Sequence, residues 1–441
     1  MKNKFLKYIL GFFVTFFIVS FFIGVMVNIK TKTNLKSPIL DASPIEFQNL
    51  NAKSSTVVSM SNGQIIAQKD SNKMLPMAST AKLMTAYILY SEIKKGKISW
   101  NDRVKISNDI SELSLTDGLA NVPLYSDDTY TIKNLLISML DVSANASAMA
   151  IGNFISGSPD EFAKLMNQTA KEMKLPIDQY KFYNASGLRN GDLIGSLKLN
   201  NVSDDSENEI SASALATLSY NLFKKFPEVS NIMQQSEIEF PQNKLGLVQT
   251  FLTTTSSIRG FLGVNDYKLL AAKTGSSKKA GSVLVGLFFQ KNNLQNYISI
   301  VMNGSDMNDP SATWEKTLLA LESADSKGQF LNYKIGESVK GAEKISFLST
   351  EKETIDLGLS KPINIWINEK KVANISANGF SYNRSLSSVS KKDVFKTSIN
   401  NVKNLKKVYG VNSGLKIKLS PLESSKENWN PLEAWYRYLI H

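Results

Sequence analysis

The chain has 441 residues, a net charge of +12 and a pI of about 9.3, with 42% hydrophobic and 20% charged residues. This composition is typical of a globular protein, and the length predicts two or three domains. Cysteine is absent and histidine occurs once, as His441. These counts exclude disulfides, thiol nucleophiles and Cys-ligated metals, and they argue against a Ser-His-Asp triad or a His-ligated zinc site. Any hydrolytic chemistry must therefore take its base from lysine, tyrosine or a carboxylate.

The basic residues are spread along the whole chain instead of being gathered in one block. That pattern suits a protein that works beside anionic polymers or lipids. Nucleic-acid binding is the other common explanation of a basic pI, but the chain shows no zinc finger, basic helix or aromatic RNA-binding motif. We therefore expect no nucleic acid as a partner.

The first residues predict export from the cytoplasm. Lys2, Lys4 and Lys7 precede an uncharged run, 8–29, that is rich in Phe, Ile and Val. Roughly 20 apolar residues span a bilayer, whereas a cleaved signal has an apolar stretch of about 7–15 residues and a small-x-small cleavage site. Residues 1–30 are therefore expected to be an uncleaved membrane anchor, with a cleaved signal and a secreted protein as the alternative.

Alternating and helical patterns predict the elements that follow. A polar linker, 31–50, is expected to lead into a β-hairpin whose tight turn is Asn62-Gly63. Residues 188–210, which are rich in Asn, Asp and Ser, are typical of a long surface loop. The predicted strands are 56–58, 65–67, 269–274, 283–289 and 297–302, and the predicted helices follow Pro76 and cover 132–140, 146–155, 213–226 and 314–321.

This order of elements predicts the domain organisation. Helices followed by a sheet, with an N-terminal hairpin able to join that sheet, predict an α+β domain over 51–328. Beyond it, short alternating segments separated by polar turns predict a small β-sandwich domain over 332–420. The final stretch, 426–441, is rich in Trp and Tyr, so it is expected either to lie on a membrane interface or to pack as a terminal helix on its own domain.

The candidate nucleophile is Ser79, with Lys82 three positions later in the helix after Pro76. Residues at that spacing share one helix face. A serine hydroxyl needs an adjacent base, and a lysine can act as that base once burial or a neighbouring cation lowers its pKa. The motif alone is weak, because Ser-x-x-Lys also occurs at Ser91–Lys94, Ser276–Lys279, Ser349–Lys352, Ser388–Lys391 and Ser413–Lys416.

Two further motifs follow Ser79 along the chain. Ser143-Ala144-Asn145 lies at the junction between two predicted helices. Its serine can relay a proton between the lysine base and a leaving amine, and Asn145 offers an amide donor and acceptor to a substrate's peptide backbone.

The third motif, Lys273-Thr274-Gly275, lies at the end of a predicted strand. Lys273 adds a second cation that can depress the pKa of the lysine base and attract a substrate's terminal carboxylate. Thr274 can hydrogen-bond that carboxylate, and Gly275 allows an extended ligand to lie close to the strand. The backbone N–H groups of Ser79 and Ser276 would form the oxyanion hole.

Together these motifs resemble those of the low-molecular-weight penicillin-binding proteins, the serine-type D-alanyl-D-alanine carboxypeptidases. The neighbouring residues are also similar to that family. They are Pro76-Met77-Ala78-Ser79-Thr80-Ala81-Lys82-Leu83-Met84-Thr85-Ala86, Phe182-Tyr183-Asn184-Ala185-Ser186-Gly187-Leu188, and Ala280-Gly281 after the third motif. The resemblance covers about 50–325, and 332–420 is similar to the β domain that often follows.

The resemblance implies an α+β, penicillin-binding-protein/β-lactamase-like transpeptidase fold, an antiparallel sheet with a helical subdomain. It implies that Ser79 attacks the penultimate D-Ala carbonyl of a peptidoglycan stem peptide ending in D-Ala-D-Ala, releases the terminal D-Ala and is freed by water. β-Lactams would acylate the same serine, and no metal or organic cofactor is required. Such an enzyme would work on the extracytoplasmic face of the bacterial cell membrane.

Some positions depart from the family pattern. Ala146 follows the second motif where an acidic or amide residue is usual, and Ala271-Ala272 precede the third where Asp-Gly is usual. Asn296 precedes the last strand of the sheet, where an Arg often helps to hold the terminal carboxylate. Lys273, Thr274 or Lys278 would then hold that carboxylate. The family commonly anchors through a C-terminal amphipathic helix, whereas this chain is expected to anchor at its N-terminus.

Three alternatives were weighed. A class A β-lactamase needs a Glu-x-x-Leu-Asn string between the second and third motifs to activate the deacylating water, and none is present. A D,D-endopeptidase or transpeptidase on the same site stays open, because loops set the length of the substrate. A non-catalytic, penicillin-sensing wall-binding protein is the third alternative, and the complete Ser/Lys/Ser/Asn/Lys/Thr set argues against it.

Overall fold

The fold is taken from a computed structural model of the whole chain. It describes residues 28–30, 37–242, 246–263, 265–346, 352, 354–371, 374–378, 381–383, 389–412, 414–426, 433 and 436. The predicted N-terminal span and the predicted C-terminal tail therefore lie almost wholly outside the described residues. Within the described ranges, no helix is both long and apolar enough to cross a membrane.

Two compact units make up the described structure. The large unit comprises 43–328 and 405–412, and the small unit takes its described residues from 1–42, 329–404 and 413–441. Residues 405–412 belong to the large unit because Val408 is buried in its core and the N–H of Val408 donates to the carbonyl of Gly63 over 2.9 Å. The domain boundaries expected from sequence stay predictions.

The strands are numbered in chain order. They are β1 (Asn28–Lys30), β2 (Leu40–Asp41), β3 (Ile45–Glu46), β4 (Ser54–Ser59), β5 (Ile65–Lys69), β6 (Met74–Pro76), β7 (Arg103–Lys105), β8 (Thr129–Thr131), β9 (Tyr180–Lys181), β10 (Glu209–Ser211), β11 (Glu237–Gln242), β12 (Leu247–Leu252), β13 (Tyr267–Ser277), β14 (Gly281–Gln290), β15 (Gln295–Ser305), β16 (Gln329–Tyr333), β17 (Lys344–Ser346), β18 (Thr354–Leu359), β19 (Ile363–Ile367), β20 (Ser381–Asn383), β21 (Phe395–Ser398), β22 (Val402–Lys403) and β23 (Lys416–Pro421).

The α-helices whose bounds the structure describes belong to the large unit. They are α1 (Lys82–Lys94), α2 (Asn108–Ser114), α3 (Ile132–Asp141), α4 (Asn145–Ser156), α5 (Pro159–Glu172), α6 (Ala212–Lys225), α7 (Glu228–Ile232), α8 (Thr254–Leu262) and α9 (Pro310–Lys327). Short 3-10 turns cover Ala78–Ala81, Ile177–Gln179, Asn190–Asp192 and Gly195–Leu197.

The large unit is built on a six-stranded sheet in the order β13-β14-β15-β4-β5-β3. Its pairs are antiparallel except β3 with β5, and β13 forms one edge. Alternate residues of β15 point to opposite faces, as strand geometry requires. Ile298, Ile300 and Met302 join the core shared with the helices, whereas the Ser299 hydroxyl donates to Thr317 O of α9 over 2.7 Å.

The small unit is rich in strands and has its own apolar core. Its sheet has the order β17-β18-β23-β21, and separate pairs join β16 with β19, β2 with β22 and β1 with β20. Buried side chains on these strands are Ile345, Ile355, Leu357, Trp366, Ile417 and Leu419. The α+β class expected from sequence is confirmed.

Some local expectations were wrong. The predicted linker contains β2 and β3, because Leu40 and Ala42 bury apolar side chains there. The predicted surface loop 188–210 holds two 3-10 turns and enters β10, with Asn190 and Asn208 buried. Asn190 and Asn208 bond to buried backbone carbonyls, whereas Asn200, Asn201 and Ser203 are exposed, and composition cannot distinguish the two cases.

Truncation of a central core side chain should destabilise the large unit. Ile300→Ala on β15 removes a side chain that is 0% exposed, so we expect a loss of about 2–5 kcal/mol. The matched control, Leu319→Ala on α9, is 51% exposed and should change stability by no more than about 0.5 kcal/mol. Urea unfolding followed by circular dichroism would measure both. Equal midpoints for the two variants would contradict the assigned core.

Candidate active site

Ser79 lies in the 3-10 turn Ala78–Ala81, which leads directly into α1. The turn is tied down by the Thr80 hydroxyl, which donates to Met77 O over 2.6 Å. Ala78 has a φ of 44°, in the left-handed region that non-glycine residues seldom adopt. Backbone strain of this kind is common next to functional groups. It places Ser79 at a sharp change of chain direction, with its side chain only partly buried.

Lys82 is the centre of the site. Its Nζ lies 2.8 Å from each of three acceptors, namely Ser79 Oγ, Asn145 Oδ1 and the carbonyl oxygen of Ser186. The side chain is 0% exposed. Burial holds the pKa of Lys82 well below its usual value, and the nearby charge of Lys273 lowers it further. A lysine with a lowered pKa beside a serine hydroxyl can accept that hydroxyl's proton.

The segment around Ser186 provides the third acceptor. Asn184 Oδ1 accepts from the N–H of Ser186 at 3.1 Å and from the N–H of Gly187 at 2.8 Å, and so shapes a tight turn. Gly187 has a φ of 84°, and a Cβ there would lie 2.0 Å from Ala78 O. The sequence showed that this segment is similar to the carboxypeptidase family, but it predicted no role for it. The structure gives it one, because its backbone supports both Lys82 and the strained turn before Ser79.

Ser143 and Asn145 lie where α3 ends and α4 begins. Ser143 has a φ of 62°, and Asn145 is the first residue of α4. The Nδ2 of Asn145 donates to Ala120 O over 3.0 Å, while its Oδ1 accepts from Lys82. The acceptor expected to bind a substrate is therefore occupied by Lys82, and one Nδ2 hydrogen is left to donate.

Lys273 approaches from the edge strand β13. Its Nζ donates to Ser143 Oγ over 2.8 Å and to Thr274 O over 3.2 Å, and the side chain is 1% exposed. Burial lowers the pKa of Lys273 to about 7, against an opposing effect of Asp141. Two positions further along β13, Gly275 passes so close to the turn that a Cβ there would lie 2.7 Å from Met77 O and 3.1 Å from the nitrogen of Ser79. Only glycine fits this approach.

The three motifs are therefore brought together, and two side-chain hydrogen bonds link them. Lys82 contacts the second motif through Asn145, and Lys273 contacts it through Ser143. Thr274 is half-buried and Ser276 is exposed on the same strand, so both can face a ligand lying along β13. Lys278 is exposed just beyond the strand's end.

The expectation about Asn296 was wrong. In the register of the sheet, Thr274 pairs with Leu284 of β14, whereas Asn296 pairs with Phe289. Residues 284 and 289 lie about 16 Å apart along a strand. Asn296 is therefore at the far end of the sheet from the motif, because β15 runs antiparallel to β14. No side chain at this position would hold a carboxylate bound at Thr274.

A methyl group at residue 187 should disturb the site. Gly187→Ala meets both a positive φ and a clash with Ala78 O, so we expect a loss of stability of about 3 kcal/mol or more. Gly157→Ala is the matched control, since Gly157 has a φ of 83° and nothing within 4 Å of the added Cβ. It should cost about 1–2 kcal/mol. Chemical denaturation would measure the free energy of unfolding of both variants. Equal losses of stability would contradict the clash predicted between a Cβ at residue 187 and Ala78 O.

Comparisons with known proteins give the family of the chain and its fold. Residues 41–306 match the family described as D-alanyl-D-alanine carboxypeptidase. The chain is 34% identical over 137 residues to the D-alanyl-D-alanine carboxypeptidase DacF of Bacillus subtilis, which is 31% of this chain and 34% of that protein. It is 24% identical over 250 residues to the D-alanyl-D-alanine carboxypeptidase DacC of Escherichia coli, which is 55% of this chain and 58% of that protein.

The match thus spans less than two thirds of the length of either relative.

Among solved structures, the chain is similar to a peptidoglycan synthesis regulatory factor, PBP3, from Streptococcus pneumoniae. The TM-score is 0.71 at 22% identity, and the match covers 86% of this chain and 100% of that one. This likeness shows the fold. The family match covers more than half of the chain and contains all three motifs, so the chain belongs to the D-alanyl-D-alanine carboxypeptidase family.

Proposed function

We propose that the protein is a serine D,D-carboxypeptidase that removes the terminal D-Ala from peptidoglycan stem peptides through an acyl-enzyme on Ser79. The observation that carries the proposal is the 2.8 Å contact between Ser79 Oγ and the Nζ of a fully buried Lys82. The single histidine of the chain is His441, so the base is expected to be another residue. A buried lysine with a lowered pKa can act as that base.

Acylation begins when Ser79 Oγ attacks the carbonyl carbon of the penultimate D-Ala and its proton passes to Lys82 Nζ. The negative charge then develops on the carbonyl oxygen. The backbone N–H groups of Ser79 and Ser276 would stabilise it, since β13 runs past the turn that carries Ser79 at the closest distance a glycine allows. One Nδ2 hydrogen of Asn145 donates to Ala120 O, and the other would donate to the peptide backbone of the substrate.

Breakdown of the tetrahedral intermediate needs a proton for the leaving amine. Ser143 Oγ accepts a hydrogen bond from Lys273 Nζ and leaves its own proton to donate. The proton taken up by Lys82 would reach the amine of the departing D-Ala through this hydroxyl. Water then attacks the acyl-enzyme with Lys82 again as the base, and the second carboxylate product leaves.

Recognition of the terminal carboxylate falls to Lys273 and Thr274. Lys273 is a buried lysine that contacts Ser143 of the second motif, and Thr274 offers a hydroxyl on the open edge of the sheet. Lys278 lies exposed further along and can add attraction from the rim. β-Lactams carry both a reactive carbonyl and a carboxylate, so they would acylate Ser79 by the same contacts.

We also propose that the protein acts on the outer face of the bacterial cell membrane, held by residues 1–30. The support is the uncharged apolar run 8–29 after three lysines, which has the length of a membrane span. A cleaved signal would leave the same catalytic unit in the periplasmic or wall space. Fractionation of membranes with N-terminal sequencing of the mature protein separates the two.

Loss of the nucleophile should abolish labelling by a fluorescent penicillin. The Ser79→Ala variant of the full-length protein should show no covalent adduct and no release of D-Ala from a D-Ala-D-Ala peptide, because no other hydroxyl contacts Lys82 within the described residues. Ser91→Ala is the matched control, since Ser91 also lies in a Ser-x-x-Lys motif but donates to Tyr87 O. It should label like the wild type.

Gel fluorescence and D-Ala release separate the candidate functions. Labelling of Ser79→Ala at the wild-type level would show that Ser79 is not the nucleophile. Labelling of the wild type without release of D-Ala would favour the penicillin-sensing alternative. Release of D-Ala only when an acceptor amine is added would favour a transpeptidase, and cleavage of cross-linked dimers would favour a D,D-endopeptidase.

Removal of the second cation should move the acid side of the pH profile. Lys273→Met takes away the charge that helps to lower the pKa of Lys82, so that pKa should rise. Lys82 acts as a base only when it is deprotonated, so acylation of Ser79 should begin at a higher pH. We expect the acid limb of the penicillin acylation rate to shift upward by about one pH unit. Lys278→Met, an exposed neighbour, should leave the limb in place.

A further inference from the structure

The buried carboxyl of Glu207 has no part in the mechanism above. Glu207 is 3% exposed, and its Oε2 accepts a hydrogen bond from the hydroxyl of Ser277 over 2.7 Å. The other carboxyl oxygen, Oε1, is buried and has no hydrogen-bonding partner in the described part of the chain. Burying a carboxyl with one oxygen unpaired is costly, so its retention beside Ser277 needs a reason.

Ser277 is the last residue of β13 and follows a proposed member of the oxyanion hole. The backbone N–H of Ser276 would bind the developing oxyanion together with that of Ser79. Alternate residues of a strand share a face, so the side chain of Ser277 leaves β13 on the same side as position 275. A Cβ at Gly275 would point at the turn that carries Ser79. The Ser277 hydroxyl therefore faces the side of β13 on which that turn lies.

The hydroxyl of Ser277 has a defined orientation. The N–H of Ala280 donates to Ser277 Oγ over 3.0 Å, and the hydroxyl in turn donates to Glu207. A hydroxyl has one hydrogen to donate, so loss of the acceptor at 207 would remove this partner. A neighbouring contact, from Lys279 Nζ to Asp205 O at 2.6 Å, is exposed to water, where exchange with solvent leaves a hydrogen bond little net value.

The backbone next to Glu207 is joined to the turn that carries Ser79. Asn208 O accepts from the N–H of Met77 over 3.0 Å, and β10 pairs with β6 immediately before that turn. Asn208 is fully buried, and its side-chain amide makes three hydrogen bonds to the backbone of 183–184, of 2.7, 3.1 and 2.8 Å. Movement of this segment relative to Ser79 would break several buried hydrogen bonds, which is costly.

Glu207 thus joins the two chain segments that would supply the oxyanion hole. Its backbone neighbour bonds to the turn before Ser79, and its carboxyl bonds to the residue after Ser276. We propose that Glu207 is a positioning residue that holds the end of β13 at the correct distance from this turn, so that the Ser276 N–H is aimed at the developing oxyanion. The role rests on the proposed function, since it concerns the same acyl transfer.

The close approach of Gly275 does not by itself fix this distance. A contact between Gly275 and the backbone of Met77 and Ser79 sets the shortest separation of β13 from the turn. The hydrogen bond from Ser277 to Glu207 limits the separation in the other direction. Oxyanion stabilisation depends on donors that are already in place, and a displacement of about 1 Å can lower a rate by about 100-fold.

The test is the rate of Ser79 acylation by a penicillin, measured with the full-length protein by rapid mixing over a range of penicillin concentrations. Glu207→Met keeps the length of the side chain but removes the acceptor. We expect the limiting acylation rate constant to fall about tenfold or more, and the dissociation constant of the non-covalent complex to change by no more than about twofold. Glu207→Gln keeps an acceptor oxygen for Ser277 and should stay within about threefold of the wild-type rate constant.

Ser277→Ala removes the donor of the same hydrogen bond and should lower the acylation rate constant by a similar factor. The double variant Glu207→Met/Ser277→Ala should be no slower than the slower single variant, because both changes remove one interaction. Ser299→Ala is the matched control. Its hydroxyl also donates over 2.7 Å from a strand of the same sheet, but to Thr317 O of α9. Its loss should leave the acylation rate constant unchanged.

A merely structural role of Glu207 would give a different result. Glu207→Met would then lower the fraction of the protein that is acylated, and the rate constant of the remaining fraction would equal that of the wild type. That result would overturn the proposal, as would a double variant in which the two losses multiply. Equal losses in Glu207→Gln and Glu207→Met would also overturn it, because the acceptor oxygen would then have no effect.

Urea unfolding gives a readout that does not depend on activity. The shifts of the unfolding midpoint in Glu207→Met and Ser277→Ala should not add in the double variant, and additive shifts would reject the link between the two residues. A wild type that the penicillin does not acylate at Ser79 rejects the proposed function. A wild type that is acylated, with Glu207→Met acylated at the same rate constant, rejects the role of Glu207 alone.

Discussion

The site depends on one buried amine. Lys82 has no solvent contact, and its Nζ is held by a hydroxyl, a side-chain amide and a backbone carbonyl, each 2.8 Å away. None of these partners carries a charge. No neighbouring anion therefore offsets the free-energy cost of removing the charged form of Lys82 from water. The pKa falls for that reason, and the amine becomes a base. The motifs, the loop at Ser186 and the edge strand can all be understood as parts that hold this amine in place.

Close backbone approach is the second constraint, and it explains where small residues are required. Gly187 lies against Ala78 O, and Gly275 lies against Met77 O. The turn that carries Ser79 is thus held between a loop and a strand with no room for a Cβ on either side. Its strained residue, Ala78, is kept in a conformation that the isolated chain would avoid. Rigid packing of this kind fixes the position of Ser79 Oγ relative to both its base and the edge strand.

The charge of Lys273 is the third constraint on the site. Lys273 contacts Ser143 on one side, lowers the pKa of Lys82 and is itself influenced by Asp141. A second cation beside a lysine base has two consequences, since it favours the neutral base and attracts an anionic substrate. Both consequences are lost when Lys273 loses its proton.

The sequence by itself determined the chemistry. One histidine and no cysteine left a lysine base as the natural choice, and three ordered motifs named Ser79, Lys82, Ser143, Asn145 and Lys273 as partners. Residue types and their order carry that information, because the sequence fixes which functional groups the chain can use. The tertiary structure decided what depends on distance. It placed Asn296 at the far end of the sheet from the third motif and brought Asn145 Oδ1 into contact with Lys82 Nζ. Strand register and burial arise from contacts between residues far apart in the chain, and no local pattern records them.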